Sequence, residues 1–345
     1  MASKLKSRNS ELLFTEVAKL IEESKSFVAT TVNSTITILY WEIGKRINQE
    51  VLNNKRAEYG KQIVVSLMLQ LTEQYGKGWS EKHLRHCLRS AETFTKEQIL
   101  SAVQRELSWT HVKAIMYLEK DVQRDFYLQM CSLEKWSTRQ LQERIDSMLF
   151  ERTAISKKPD KLIKQELSKL KKENILSPDL VFRDPYVLDF LELKDTFNEK
   201  NLEEAILRKL EHFILELGQG FTFVERQKRM IIDGEDFNLD LLFYHRKLKR
   251  LIAIDLKLGK FKAAYKGQME LYLQWLQKNE TEPHEETPLG LILCTEGNKE
   301  QVELLQLGKA GIKIAEYLTE LPTKKLLQQK LHQAILISKK RLENL

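Results

Sequence analysis

Leu251-Ile252-Ala253-Ile254-Asp255-Leu256-Lys257 sets an aspartate and a lysine into a run that is otherwise apolar. An apolar segment of strand length, with no helical periodicity, is expected at the centre of a sheet covered on both faces. Ionised side chains inside such a strand are expensive unless something nearby compensates them. Alternation along the strand puts Asp255 and Lys257 on one face and Leu256 on the other. The pattern occurs once more upstream, in Phe237-Asn238-Leu239-Asp240-Leu241-Leu242-Phe243-Tyr244, where Asp240 is the embedded acid. If the two strands pair across the turn at Arg246–Arg250, Asp240 lies beside Asp255. Two converging carboxylates form a hard-oxygen site suited to Mg2+ or Mn2+. A lysine next to them can orient or deprotonate an attacking water, or balance charge that builds on a phosphate.

The spacing alone is common. Glu23-Ser24-Lys25 and Glu192-Leu193-Lys194 share it, and both read as ordinary surface or connector charges. What distinguishes Asp255 and Lys257 is the apolar strand around them and the second strand-borne acid before it. The plain structural alternative is a buried Asp–Lys ion pair without chemistry. Downstream, Gln268 and Tyr272 fall one helical turn apart, on the face that a helix following this strand can bring over the acids.

Outward from this centre, Asn201–Leu217 reads as an amphipathic helix closed by Gly218 and Gly220. Phe221–Ile232 reads as a strand with a turn at Asp233-Gly234. A helix is expected over Ala264–Gln277, a strand over Leu289–Cys294 and a helix over Gln301–Lys309. A short strand at Ile312–Tyr317 and a closing helix at Leu326–Leu342 complete the pattern. The order predicts an α/β/α sandwich.

Residues before about 160 read differently, as helices almost throughout. Ile63, Leu67 and Leu71 recur at intervals of four, Gly76-Lys77-Gly78 interrupts them, and Ser80 is placed to cap the next helix. Two helices joined by so short a turn predict a helix-turn-helix-like unit. Ser137 with Gln140 fits a capping box. Trp79, Trp109 and Trp136 each sit at a helix start and read as core. The prolines of Ser156–Asp160, Ser177-Pro178 and Asp184-Pro185 point to a domain boundary at 160–180. The expected division is a helical domain over 10–160, for nucleic-acid or partner binding, and an α/β domain over 175–340.

With 42% hydrophobic and 30% charged residues, the chain reads as globular, and no stretch has the apolar length of a membrane span. Lys4, Lys6 and Arg8 are not followed by the apolar block of a signal peptide. Cys87, Cys131 and Cys294 have no metal or disulfide spacing and read as reduced thiols of a cytoplasmic protein. The net charge of +7 comes mostly from residues 1–160, with 25 Lys+Arg against 20 Asp+Glu. Such a balance suits a nucleic-acid partner but equally a solvated surface. In the helix from Ser80, Lys82, Arg85, His86 and Arg89 form a cationic stripe able to face phosphates.

These features together resemble the bacterial YhcG-like family, a helical N-terminal domain fused to a PD-(D/E)xK nuclease domain. The likeness is carried by Leu215–Gly218, Gly220-Phe221, Arg226-Gln227, Leu239–Arg246, Ala253–Phe261 and Gly267–Met269 with Tyr272. In the first half, Leu107–His111, Arg124–Tyr127 and Trp136–Arg139 carry it. The resemblance implies a restriction-endonuclease-like core, Asp240 and Asp255 as metal ligands, Lys257 as catalytic lysine, and Gln268 with Tyr272 as a trailing motif. Leu239 stands where the proline that names the superfamily would be, and the second acid is the shorter Asp255. Related nucleases add a glutamate from the first core helix. Glu203, Glu204, Glu211 and Glu216 compete for that role, with Glu203 favoured by its place near the helix start. The expected activity is Mg2+- or Mn2+-dependent hydrolysis of phosphodiester bonds, in DNA ahead of RNA. The competing reading is a non-cleaving clamp or interaction protein of a defence or mobile-element system. Copies of the chain, or proteins of such a system, are the other candidate partners.

Overall fold

The computed structural model describes residues 2–53, 57–193, 198–296, 305, 310–319 and 322–343. The chain divides into two compact units, 1–143 and 144–345. This division falls ahead of the 160–180 stretch to which the prolines pointed, because that stretch is itself folded. Asp160–Glu173 is a helix that buries Ile163, Leu167 and Leu170.

The first unit consists of α1 (Ala2–Asn53), α2 (Ala57–Tyr75), α3 (Glu81–Thr93), α4 (Lys96–Gln104), α5 (Trp109–Ile115), α6 (Asp121–Glu134) and the start of α7 (Thr138–Asp146). Ser80 caps α3, its side chain accepting from His83 N. Ser137 and Gln140 exchange both bonds of a capping box, at 2.9 and 3.3 Å. Helix α3 follows α2 after the glycine turn but packs chiefly along α1. Gly44 permits that approach: a Cβ there would stand 1.9 Å from the Cys87 carbonyl oxygen. Ile47, Val64 and Leu84 close the core between the three helices. Trp136 is buried, whereas Trp79 and Trp109 are half-buried and meet Tyr40 and His83 edge to face.

The second unit opens with α8 (Leu149–Arg152), α9 (Asp160–Glu173), α10 (Pro178–Val181) and β1 (Tyr186–Val187). Next come α11 (Glu199–Arg208), α12 (Leu210–Leu217), β2 (Phe221–Ile232), β3 (Glu235–His245) and β4 (Arg250–Lys260). The unit closes with α13 (Ala264–Asn279), β5 (Leu289–Glu296), β6 (Ile312–Leu318) and α14 (Lys324–Glu343). The helix expected over 201–217 is two helices, interrupted at Lys209, where ψ turns to 32°. Asn198 and Asn201 cap the first of them reciprocally. The helix expected over Gln301–Lys309 lies outside the described residues except for Leu305.

Among the described residues, six strands form one mixed sheet in the order β1-β6-β5-β4-β3-β2. Strands β2, β3 and β4 are antiparallel neighbours, and β5, β6 and β1 add in parallel. Asp233 and Gly234, both at positive φ, make the tight turn between β2 and β3. Alternation in β4 divides the core. Ile252, Ile254 and Leu256 pack towards α11 and α12, while Leu251 and Ala253 pack towards α13 with Met269, Tyr272 and Leu276. The face that carries Ala253 is therefore the face of Asp255 and Lys257.

Candidate active site

Antiparallel pairing of β3 with β4 runs from His245↔Arg250 to Leu241↔Ile254. One more step would set Asp240 opposite Asp255, and there the described ladder stops. The Leu256 N–H donates to Asp240 Oδ2 at 2.8 Å. A side-chain carboxylate thus takes a main-chain donor next to the point where the two strands part.

Asp255 is 2% exposed in its side chain, and Lys257 13%. The Lys257 ammonium stands 3.0 Å from Asp255 Oδ2, an ion pair inside the buried site. Apart from that pair, Asp255 Oδ2 meets no further donor among the described residues. Burial pushes the Asp255 carboxyl up to about 7, with Asp240 adding to the shift and Lys257 opposing it. Burial acts against the Lys257 ammonium, yet Asp255, with Asp240 and Glu199, holds its pKa above the ordinary lysine value. The same ammonium lies 5.2 Å over the ring of Tyr265.

Helix α13 brings the trailing pair to this face. Gln268 Nε2 donates to the Tyr272 hydroxyl at 2.6 Å, and that hydroxyl donates to the Asn238 carbonyl at 3.2 Å. The chain of bonds ends two residues before Asp240. Burial raises the Tyr272 pKa, and Asp255 and Asp240 add to the shift.

The four competing glutamates separate cleanly. Glu203 accepts from Gln227 Nε2 at 2.8 Å, and the same nitrogen donates to Asp240 Oδ1 at 3.2 Å. Burial raises the Glu203 pKa, Asp240 adding and Gln227 opposing. Glu204 lines the adjoining cleft of about 400 Å³ together with Glu199, Glu203, Arg226, Gln227 and Asp240. Glu211 is exposed. Glu216 is committed elsewhere, buried between the guanidinium groups of Arg152 and Arg183.

Two further groups join the site that the sequence reading did not assign to it. Glu199 accepts from the Leu258 N–H at 3.1 Å and acts electrostatically on Lys257. It lies at the helix start, four residues before Glu203, so helical spacing was the available signal. Gln227 has no such signal, because its role depends on the strand opposite.

In the first unit, Lys82, Arg85 and Arg89 are exposed on α3. Arg85 pairs with Glu81 at 2.9 Å through Nε, and Arg89 stands 3.8 Å from Glu92. The stripe is thus partly neutralised by its own helix. His86 Nδ1 lies 2.7 Å from the Tyr117 hydroxyl.

A hard-oxygen site tolerates two protein carboxylates when water and phosphate complete the coordination, as Mg2+ commonly requires. The buried carboxylate of Asp255, with Asp240 beside it, fits a divalent cation on that basis. Among the described residues, no three His, Cys, Asp or Glu side chains are gathered around one such point.

The site thus holds two acids and a lysine where two strands of a mixed sheet part. Residues 179–332 match the family model described as "YhcG PDDEXK nuclease domain", and residues 16–152 match "DUF1016 N-terminal domain". The chain is 33% identical to "Putative nuclease YhcG" of Escherichia coli (strain K12), over 91% of this chain and 92% of that protein. It belongs to the YhcG family. Among solved structures, a repair endonuclease from Pyrococcus abyssi is similar at 20% identity and a TM-score of 0.26. That match covers 37% of this chain and half (50%) of that one. EndoMS in complex with dsDNA is similar at 18% identity and a TM-score of 0.25, over 34% of this chain and 46% of the other.

Proposed function

We propose that the second unit hydrolyses phosphodiester bonds in DNA, with Asp240 and Asp255 as ligands of Mg2+ or Mn2+. The observation that carries this reading is the buried Asp255 carboxylate, paired with Lys257 and set beside a second strand-borne acid. When bound there, a divalent cation supplies an activated water and neutralises charge on the phosphate. Lys257 presents an ammonium to the same space, able to stabilise charge that builds on a phosphate oxygen. Gln268 and Tyr272 hold the α13 side of the site through the Asn238 carbonyl. In the first unit, α3 would face the nucleic acid with Lys82, Arg85 and Arg89, the net charge of +7 favouring a polyanion. The direct test is incubation of the purified chain with Mg2+ or Mn2+ on duplex, single-stranded and branched DNA and on RNA. Cleavage of RNA alone would reassign the substrate.

Cation binding is expected to show in stability. Millimolar Mg2+ or Mn2+ should raise the Tm of the wild type, because the ion binds the folded pair and not the separated acids of the unfolded chain. Asp240→Ala should lose the response. The sign with pH follows from Asp255. Its folded value, about 7, lies above the unfolded value of about 3.9. Metal-free stability from this group therefore falls as pH rises between those two values. Because the cation displaces the retained proton, the metal-induced rise in Tm should grow with pH up to about 7 and then level. Equal responses in wild type and Asp240→Ala would move the metal elsewhere.

For the first unit, replacing Arg85 and Arg89 together by Ala should weaken DNA binding on all sequences. If both contact phosphates, the slope of log K against log salt falls by about two. Their pairing with Glu81 and Glu92 competes with such contacts, and an unchanged slope would take the binding surface off α3.

A further inference from the structure

Gln227 occupies an unusual position for a strand residue. Its neighbours pair in register, Arg226 with Leu241 and Lys228 with Leu239, so Gln227 falls opposite Asp240. Yet its φ is +46°, the left-handed region, in the middle of β2. A non-glycine residue rarely adopts that conformation within a strand and keeps it only where the surroundings hold it. The surroundings here are two carboxylates. The single Nε2 donates to Glu203 Oε2 at 2.8 Å and to Asp240 Oδ1 at 3.2 Å, which uses both of its hydrogens. That nitrogen occupies the space a cation bridging the same two oxygens would need, since Mg2+ requires oxygens at about 2.0–2.1 Å. A neutral amide thereby joins two acids that would otherwise repel each other or recruit a second ion.

We propose that Gln227 is a positioning residue that ties Glu203 to Asp240 and restricts the centre to one divalent cation, the one held by Asp240 and Asp255. This rests on the reading of that pair as metal ligands. Glu203 is then kept out of the coordination shell, a hydrogen-bonded carboxylate lining the cleft beside Asp240. The residue at position 227 sets the ion count, and Glu203 does not contribute to affinity.

The test is Mn2+ binding to the full chain, with free ion counted by electron paramagnetic resonance. Wild type should bind one ion at the site, and Asp255→Asn should abolish it. Gln227→Glu, nearly identical in shape, should bind two. Glu203→Gln should bind one, with affinity within about threefold of wild type, short of the tenfold or greater loss typical when a group supporting a metal is removed. Two ions in the wild type, one in Gln227→Glu, or an affinity loss of about tenfold or more in Glu203→Gln would each overturn the assignment of Gln227. No ion in the wild type would instead remove the metal reading itself. Should Gln227→Glu fail to fold, Gln227→Ala supplies a second measurement. In single-turnover cleavage, Gln227→Ala and Glu203→Gln should each slow the reaction. The double variant should be no slower than the slower single, because both remove one coupled unit. Additive losses would mean that Gln227 acts on the fold and not through Glu203.

Discussion

Lys257→Ala should cut the single-turnover rate of DNA cleavage by roughly a hundredfold or more, the scale of a lost charge stabiliser. Affinity for DNA should stay within a few-fold, because on the proposed reading the ammonium acts on charge present in the transition state and absent from the ground state. The side chain is held for that task by Asp255 at 3.0 Å and by the Tyr265 ring. Its removal leaves Asp255 without its paired cation, but burial and the neighbouring Asp240 already favour the neutral form of that carboxyl, and without Lys257 they favour it further. The fold should therefore survive the substitution, and the rate loss can be read separately from stability. Lys257→Arg should not restore activity, since a guanidinium is larger, planar and permanently charged. A wild type that binds DNA and cuts it under no divalent metal would end the nuclease reading in favour of a clamp. Measuring Tm, affinity and rate on one preparation separates these cases.

Glu216→Ala should cost about 3–5 kcal/mol of stability, the usual penalty for removing one partner from a buried ionic cluster. Glu216 is 12% exposed between Arg152 and Arg183, at 2% and 5%. It also accepts the Val187 N–H at 2.9 Å, which ties α12 to the short edge strand β1. Burial works against its charge, but the two guanidinium groups and that N–H hold its pKa below the usual glutamate range. Removing the carboxylate leaves two cations facing one another in the interior. Burial, with Arg152 and Arg144 adding and Glu216 opposing, already lowers Arg183 to about 10. For a unit of this size the loss corresponds to roughly 10 °C in Tm. Because the folded pKa is depressed, the stabilisation is present at neutral pH and disappears as pH falls through that value. The metal response of Asp240 and Asp255 should persist in the variant. A change in Tm of under about 3 °C would mean that the cluster relaxes or hydrates without the acid.

The core strands were legible because charge in an apolar run is physically conspicuous. Asp240, Asp255 and Lys257 stand out in β3 and β4 without knowledge of their neighbours, and the parity of Leu256 fixed which face they share. Ser80 and Ser137 were legible because capping is local. Helix α9 was overlooked although Ile163, Leu167 and Leu170 recur at helical spacing, since the lysines between them resembled a linker. Local sequence favours Glu203 only by its place near the helix start, and nothing local tells where Glu216 goes. One reaches Gln227 and the other two arginines only after α11 and α12 are laid on the sheet. Strand β1, two residues long, carries too little pattern to be found. On α3, the partners of Arg85 and Arg89 were within a helical turn and could have been counted against the stripe.

The bond from the Leu256 N–H to Asp240 Oδ2 gives that carboxylate a second occupation. It closes the open end of a ladder, much as a capping side chain closes the end of a helix. An apolar residue at position 240 would leave the donor of a buried strand residue with nothing to bond, at a penalty of about 1–3 kcal/mol. On the proposed reading, loss of the acid would then cost twice, once through chemistry and once through the amount of folded protein. A relative that had abandoned catalysis would still be under pressure to keep an acceptor here, and asparagine could supply it. An oxygen-bearing residue at this position is therefore evidence of the fold, and only the pair with Asp255 is evidence of the reaction.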